Sequence, residues 1–114
     1  FHSDGYIEPI IPDLIEAGVD ILNPVQPECM DPARVKGLYG DRLCLDGTIS
    51  IQRTMPFGTP RDVAQEVRER IRTVGPAGLI LGPSHSMQPD VPVENILTLY
   101  ETAKKYGTFP AGAV

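Results

Sequence analysis

The stretch VDILNPVQPECMDPARVKGLYGDRLCLDGT, residues 19–48, decides the fold. Val19 to Asn23 is a short apolar run closed by a Pro-rich loop, Pro24 to Glu28, the form of a strand and its exit. Asp31 offers a side-chain oxygen to a helix start, Pro32 takes the first helical position, where its missing N–H is no loss, and Gly40 closes the helix. Val35, Leu38 and Tyr39 are expected to face inward. Arg42-Leu43-Cys44-Leu45-Asp46 is a second strand, apolar on consecutive positions as when helices or a barrel interior cover both faces, and Gly47 marks its exit. A strand, a crossover helix and a strand place neighbouring strands parallel, so the fold class is α/β.

The same alternation extends both ways. Upstream, Ile7, Ile10, Ile11, Leu14 and Ile15 line one helical face, Pro9 and Pro12 push the regular helix late in that stretch, and Gly18 ends it as a left-handed cap. Downstream, Thr59, Pro60 and Asp62 form a capping-box pattern ahead of Val63, Val67, Ile71 and Val74, which repeat at helical spacing up to Gly75. Leu79 to Gly82 is a further strand. A last helix is expected from about Pro92 to Tyr106, with Val93, Ile96, Leu97, Tyr100 and Ala103 on its inner side and Gly107 as its stop. No G-x-G-x-x-G follows a strand and no P-loop is present, so a segment of a (β/α)8 TIM barrel, made of its C-terminal β-α units, is preferred over an open dinucleotide-binding sheet. The chain opens on Phe1, and FHSDG reads as the end of a strand already under way, so a fragment is expected: residues 1–107 as the barrel portion and 108–114 as a tail.

Composition narrows the function. Across 114 residues the formal net charge is -5 and the pI about 4.8, with Lys and Arg interspersed among Asp and Glu; no basic field is offered to a phosphate backbone, and nucleic-acid binding is disfavoured. No apolar run approaches the roughly 20 residues that span a bilayer. Cys29 and Cys44 stand apart without a C-x-x-C pair, against a disulfide framework, so a reducing cytoplasm is the expected compartment.

In parallel β/α folds the loops after the carboxyl ends of the strands build the site. Here they are His2-Ser3-Asp4-Gly5, Asn23-Pro24-Val25-Gln26, Asp46-Gly47-Thr48 and Pro83 to Asp90, and both histidines of the chain lie in them. His85 can exchange a proton near neutral pH, which suits a substrate carboxylate or an acid role. Asp4 is a base, an orienting carboxylate for His2, or turn chemistry before Gly5. Asn23 and Gln26 either donate to a ligand or satisfy loop backbone groups. Cys29 has no evident base beside it, and Cys44 reads as core.

These strand-end sequences resemble the uroporphyrinogen decarboxylase superfamily. HSDG, then IPDLIEAGVDILNPVQPE, MDP, GDRLCLDGTIS, PFGTP and GPSHSMQPDVPVENI follow one another as that superfamily's landmarks do, over nearly the whole chain to about Gly107. The resemblance implies one of two chemistries. The first is cofactor-free decarboxylation of a tetrapyrrole or a related small anionic substrate. There a histidine at the position of His85 lies near substrate and Asp4 matches a K-D-G-like context, while the catalytic aspartate and the carboxylate-gripping arginines belong to the family's N-terminal half. The substrate-binding set implied is His85, Asp4, Asn23 and Gln26, with the catalytic residue unassigned.

The second is zinc-dependent methyl transfer to a thiol, linked to a corrinoid protein, in which an H-x-C-G motif and a last-loop cysteine hold the metal. His2 matches that motif, but Asp4 stands in place of its cysteine and His85 in place of the last. His2, Asp4 and His85 would make a harder site for zinc or another divalent metal. A third possibility is an inactive barrel piece. A homodimer fits any of these.

Overall fold

The computed structural model describes residues 1–107; the expected tail, 108–114, lies outside the described residues. A 3-10 turn at Glu8–Ile10 leads into helix α1, Ile11–Glu16, with prolines in the first turn of each. Gly18, at φ 101°, then reverses the chain, a conformation that a Cβ disfavours. Strand β1 is Ile21–Leu22, helix α2 is Pro32–Tyr39, and Asp31 Oδ1 accepts from the Ala33 amide at 3.0 Å as its cap. Strand β2, Cys44–Asp46, is followed by a four-residue helix α3, Thr54–Phe57, which the sequence pattern does not announce. Helix α4, Pro60–Thr73, carries the expected capping box between Thr59 and Asp62. Strand β3, Leu79–Ile80, and helix α5, Val93–Tyr106, complete the order.

The three strands are parallel and adjacent in chain order, β1-β2-β3, as in a barrel, where each strand pairs with the next. Their register pairs Leu22 with Leu45 and Leu45 with Leu79, so these leucines share one face, while Ile21 opposite Cys44 and Asp46 opposite Ile80 share the other. A parallel bridge from His2 to Asn23 adds the start of a further strand beside β1, and another from Ile49 to Pro83 prolongs the β2–β3 pairing toward the loops.

The helices cover the leucine face. Leu22 and Leu45, with no exposed surface, pack with Ile11, Val25, Met30, Val35, Leu43 and Val74; Ile49, Met55, Val63, Val67, Ile71, Val91 and Leu99 make a second cluster, and Leu79 packs against both. Fully burying side chains of this size stabilises by about 1.5–3 kcal/mol each. The opposite face is open, with Ile21 42% and Ile80 45% exposed. One sheet layer and one helix layer give a slab of 40 × 36 × 18 Å. The architecture is a partial (β/α) barrel whose interior face is uncovered.

Val35 and Tyr39 of α2 and Ile96 and Ala103 of α5 pack inward as expected, but the rest of the two expected faces is corrected. Leu38 of α2 is 52% exposed, and on α5 it is Asn95, Leu99 and Thr102 that are buried, whereas Val93, Leu97 and Tyr100 point outward. Periodicity marks an apolar stripe but not which neighbour covers it, and α4 packs on the adjacent stripe. Cys44, expected in the core, is half-buried on the open face. No helix among the described residues is long and apolar enough to cross a membrane.

Candidate functional site

The carboxyl ends of the strands bring the predicted loops together. His2 is held beside β1 by backbone pairing: the Asn23 amide donates to the Phe1 carbonyl at 3.2 Å and the Ser3 amide to the Asn23 carbonyl at 2.9 Å. On that frame His2 Nδ1 lies 2.6 Å from Asn23 Oδ1 and His2 Nε2 lies 3.5 Å from Asp4 Oδ2. The bond to Asn23 orients the ring, with Nε2 turned toward Asp4. Gln26 is buried, and its Oε1 accepts from the Gly5 amide at 3.1 Å, so it ties the first loop to the second.

Gly47, at φ 74°, lets the β2 exit pass close by: a Cβ there would stand 3.1 Å from Asn23 Nδ2 and 3.2 Å from the Pro83 carbonyl. Only glycine fits that turn without displacing its neighbours.

Two adjoining clefts open on these loops. One, of about 370 Å³, is lined by His2, Asn23, Pro83, Ser84, His85 and Ser86. The other, of about 260 Å³, is lined by Asp4, Gln26, Ile51, Gln52, Ser84 and His85. Every expected substrate-facing residue, His85, Asp4, Asn23 and Gln26, therefore borders one cleft or the other, and exposed His85 borders both. Sequence reasoning passed over Ser84 and Gln52. Ser84 is 3% exposed and shared by both clefts, a location carried only by its place next to His85. Neither cleft has a Lys or Arg among its lining residues, and Arg53 is exposed outside both.

The expected metal set is only partly assembled. His2 and Asp4 meet, but among the described residues no three His, Cys, Asp or Glu side chains converge to hold an ion, and His85 does not complete a set with them. His2 turns Nδ1 to Asn23 Oδ1, and Nε2 has only Asp4 near it. Cys44 offers no substitute nucleophile: burial, reinforced by Asp46, pushes its thiol up, away from the reactive thiolate.

Comparison with known proteins bears on what this arrangement serves. The family model for uroporphyrinogen decarboxylase (URO-D) matches residues 1–106. The chain belongs to the uroporphyrinogen decarboxylase family. A relative described as uroporphyrinogen decarboxylase, from Chlorobium phaeovibrioides, is 29% identical over 80 residues, covering 67% of this chain and 22% of that protein. Among solved structures, a methyltransferase from Methanosarcina mazei superposes with a TM-score of 0.79 at 22% identity, over 94% of this chain and 31% of its own. The chain thus spans under a third of the length of either. Shared architecture with the methyltransferase establishes the fold, as part of a uroporphyrinogen decarboxylase-type barrel.

Proposed function

We propose that this chain supplies the strand-end loops of a decarboxylase of the uroporphyrinogen decarboxylase type, acting on a tetrapyrrole or a related small anionic substrate. The observation that carries the reading is the convergence of His85, Ser84, Asn23, Gln26 and Asp4 on two adjoining clefts at the carboxyl ends of parallel strands. In such a reaction the bond between a substrate carbon and its carboxylate breaks, carbon dioxide leaves, and the bond's electron pair stays on the substrate until a proton arrives at the carbon that bore the carboxylate. The protein's part is to hold the carboxylate and to place donors where charge develops, a task for fixed polar groups. His85 is the donor facing both clefts, and Ser84 can donate beside it.

The arginines that would balance a polycarboxylate are assigned to other parts of the barrel. Two unpaired cysteines agree with a reducing cytoplasm. A homodimer remains our expectation for the assembled protein.

A second reading, zinc-dependent methyl transfer with a corrinoid protein as partner, draws support from the His2–Asp4 contact and from clefts lined without cationic side chains. Among the described residues His2 and Asp4 find no third ligand.

One experiment separates the two: carbon dioxide release from a carboxylated porphyrinogen, measured alongside metal content of the full-length protein purified without chelator, each repeated for His85→Ala. The decarboxylase reading expects turnover without metal and a loss of about 10²-fold in His85→Ala, the scale of a positioned proton donor. About one metal ion per chain, lost with His85 and accompanied by no carbon dioxide release, would replace it with the methyl-transfer reading.

A further inference from the structure

Behind the cleft wall, two carboxylates from distant parts of the chain meet one serine. Ser50 Oγ donates to Glu28 Oε2 at 2.5 Å, the Ser50 amide donates to Glu66 Oε1 at 3.4 Å, and Arg70 Nη2 donates to that same Glu66 oxygen at 3.1 Å. Arg70 Nε also donates to the Thr48 carbonyl at 3.0 Å, so α4 grips the loop after β2 at two points. Ser50 Oγ accepts from the Arg53 amide at 3.1 Å, and the neighbouring Ile51 amide donates to Ser84 Oγ at 3.4 Å. Ser84 precedes His85. Contacts therefore run from Glu66 on α4, through Ser50 and Ile51, to the loop that carries His85, with a branch through Glu28 to the loop that carries Gln26.

The cluster is short of positive charge. Arg70 pairs with Glu66 alone, the side chains of these two are only 12% and 14% exposed, and the buried oxygens Glu28 Oε1 and Glu66 Oε2 have no hydrogen-bond partner. A buried carboxylate oxygen without a partner is costly, and a proton on Glu66 relieves that cost. Burial pushes the Glu66 carboxyl above the ordinary value of 4.5; the charge of Arg70 and the Ser50 amide pull it back, and the charge of Glu28 raises it further. The charged groups acting on Glu66 are Arg70 on its own helix and Glu28 from the loop after β1. Among the described residues α2, α3 and α5, the helices packed on α4, add no charged group to it.

We propose that Glu66, Ser50 and Glu28 form a protonation-sensitive brace that sets the position of the His85 loop. With Glu66 ionised, its Oε1 holds the Ser50 amide and Arg70 together. Once Glu66 takes a proton from solvent, that oxygen is a weaker acceptor, the loop after β2 is held less firmly to α4, and Ile51 moves relative to Ser84. Glu66 and Glu28 are thus positioning residues. The brace bears on substrate only through the reading of the clefts as the substrate site, and measuring the loop itself lets the two ideas fail separately.

The test is a pH titration by NMR of the full chain, following the Glu28 and Glu66 carboxyl carbons, the amides of Ile51 and Ser84, and, as a separate signal, the His85 ring. The expected result is that both amides titrate in step with Glu66, at a midpoint above 4.5. In Glu66→Gln, which retains an acceptor oxygen and the same shape, that step disappears while the fold persists. In Ser84→Ala, which removes the oxygen that accepts from the Ile51 amide, Glu66 and Ile51 still titrate together and the step at residue 84 is lost. Amides that stay flat through the Glu66 midpoint, or an undiminished step at residue 84 in either variant, would overturn the brace.

Discussion

Asn95 is fully buried in α5, and its Nδ2 donates to the Met55 and Gly58 carbonyls, both at 2.9 Å. One side chain thereby satisfies backbone acceptors at the end of α3, a helix too short to be held by its own bonds. Asn95→Ala leaves both carbonyls buried without a donor, and urea unfolding is expected to show a loss of about 1–3 kcal/mol; an unchanged midpoint would mean that water takes over the role. Nothing in the sequence marks Asn95, because a polar residue within an apolar helix pattern reads as solvent-facing. His85 was legible for the opposite reason: strand-end loops are where parallel folds expose chemistry, and Pro83 and Pro89 delimit the loop that bears it. Gln52, Ser84 and the Glu28–Ser50–Glu66 cluster were not legible. Their meeting depends on how the loop after β2 folds over α3, and separations such as 22 residues between Glu28 and Ser50 carry no local signal.

At the scale of elements, α4 was the most readable, since Thr59, Pro60 and Asp62 write its start in side-chain chemistry. The Asp62 amide donates to Thr59 Oγ1 at 3.2 Å and the Thr59 amide to Asp62 Oδ2 at 2.9 Å. Thr59→Ala is expected to cost about 1 kcal/mol, read from thermal unfolding near neutral pH. The bonds to Thr59 hold the Asp62 carboxyl below its ordinary value of 3.8. A depressed acid stabilises above its unfolded value and loses that contribution as pH falls through the folded one. The gap between wild type and Asp62→Asn should therefore be constant above about pH 5 and narrow on acidification below 3.8; a gap that widens toward acid would contradict the cap. Helix α3 escaped notice because four residues with Pro56 among them carry no periodicity. The inner face of α5 was legible in part: Ile96 and Ala103 pack inward, whereas Val93, Leu97 and Tyr100 form an equally apolar stripe that faces out.

For the whole molecule, the order of strands and helices followed from the sequence because each turn has its own punctuation, whereas the openness of one sheet face did not, since Ile21 and Ile80 look like any core residue. What the arrangement of side chains on the covered face implies is a question of cooperativity. Leu79 adjoins both apolar clusters, one built around Leu22, Leu45 and Val35, the other around Val67 and Leu99. If that leucine links them, the two halves open together, and amides of Leu22 and Val67 should exchange with the same free energy as denaturant is added. Leu79→Ala removes the shared, partly buried side chain, at less than the about 2–5 kcal/mol of a fully buried leucine, and the two exchange profiles are then expected to separate into two unfolding steps. Profiles that still merge would place the linkage elsewhere. Whether this chain melts once or twice is thus a question put to a single leucine on its last described strand.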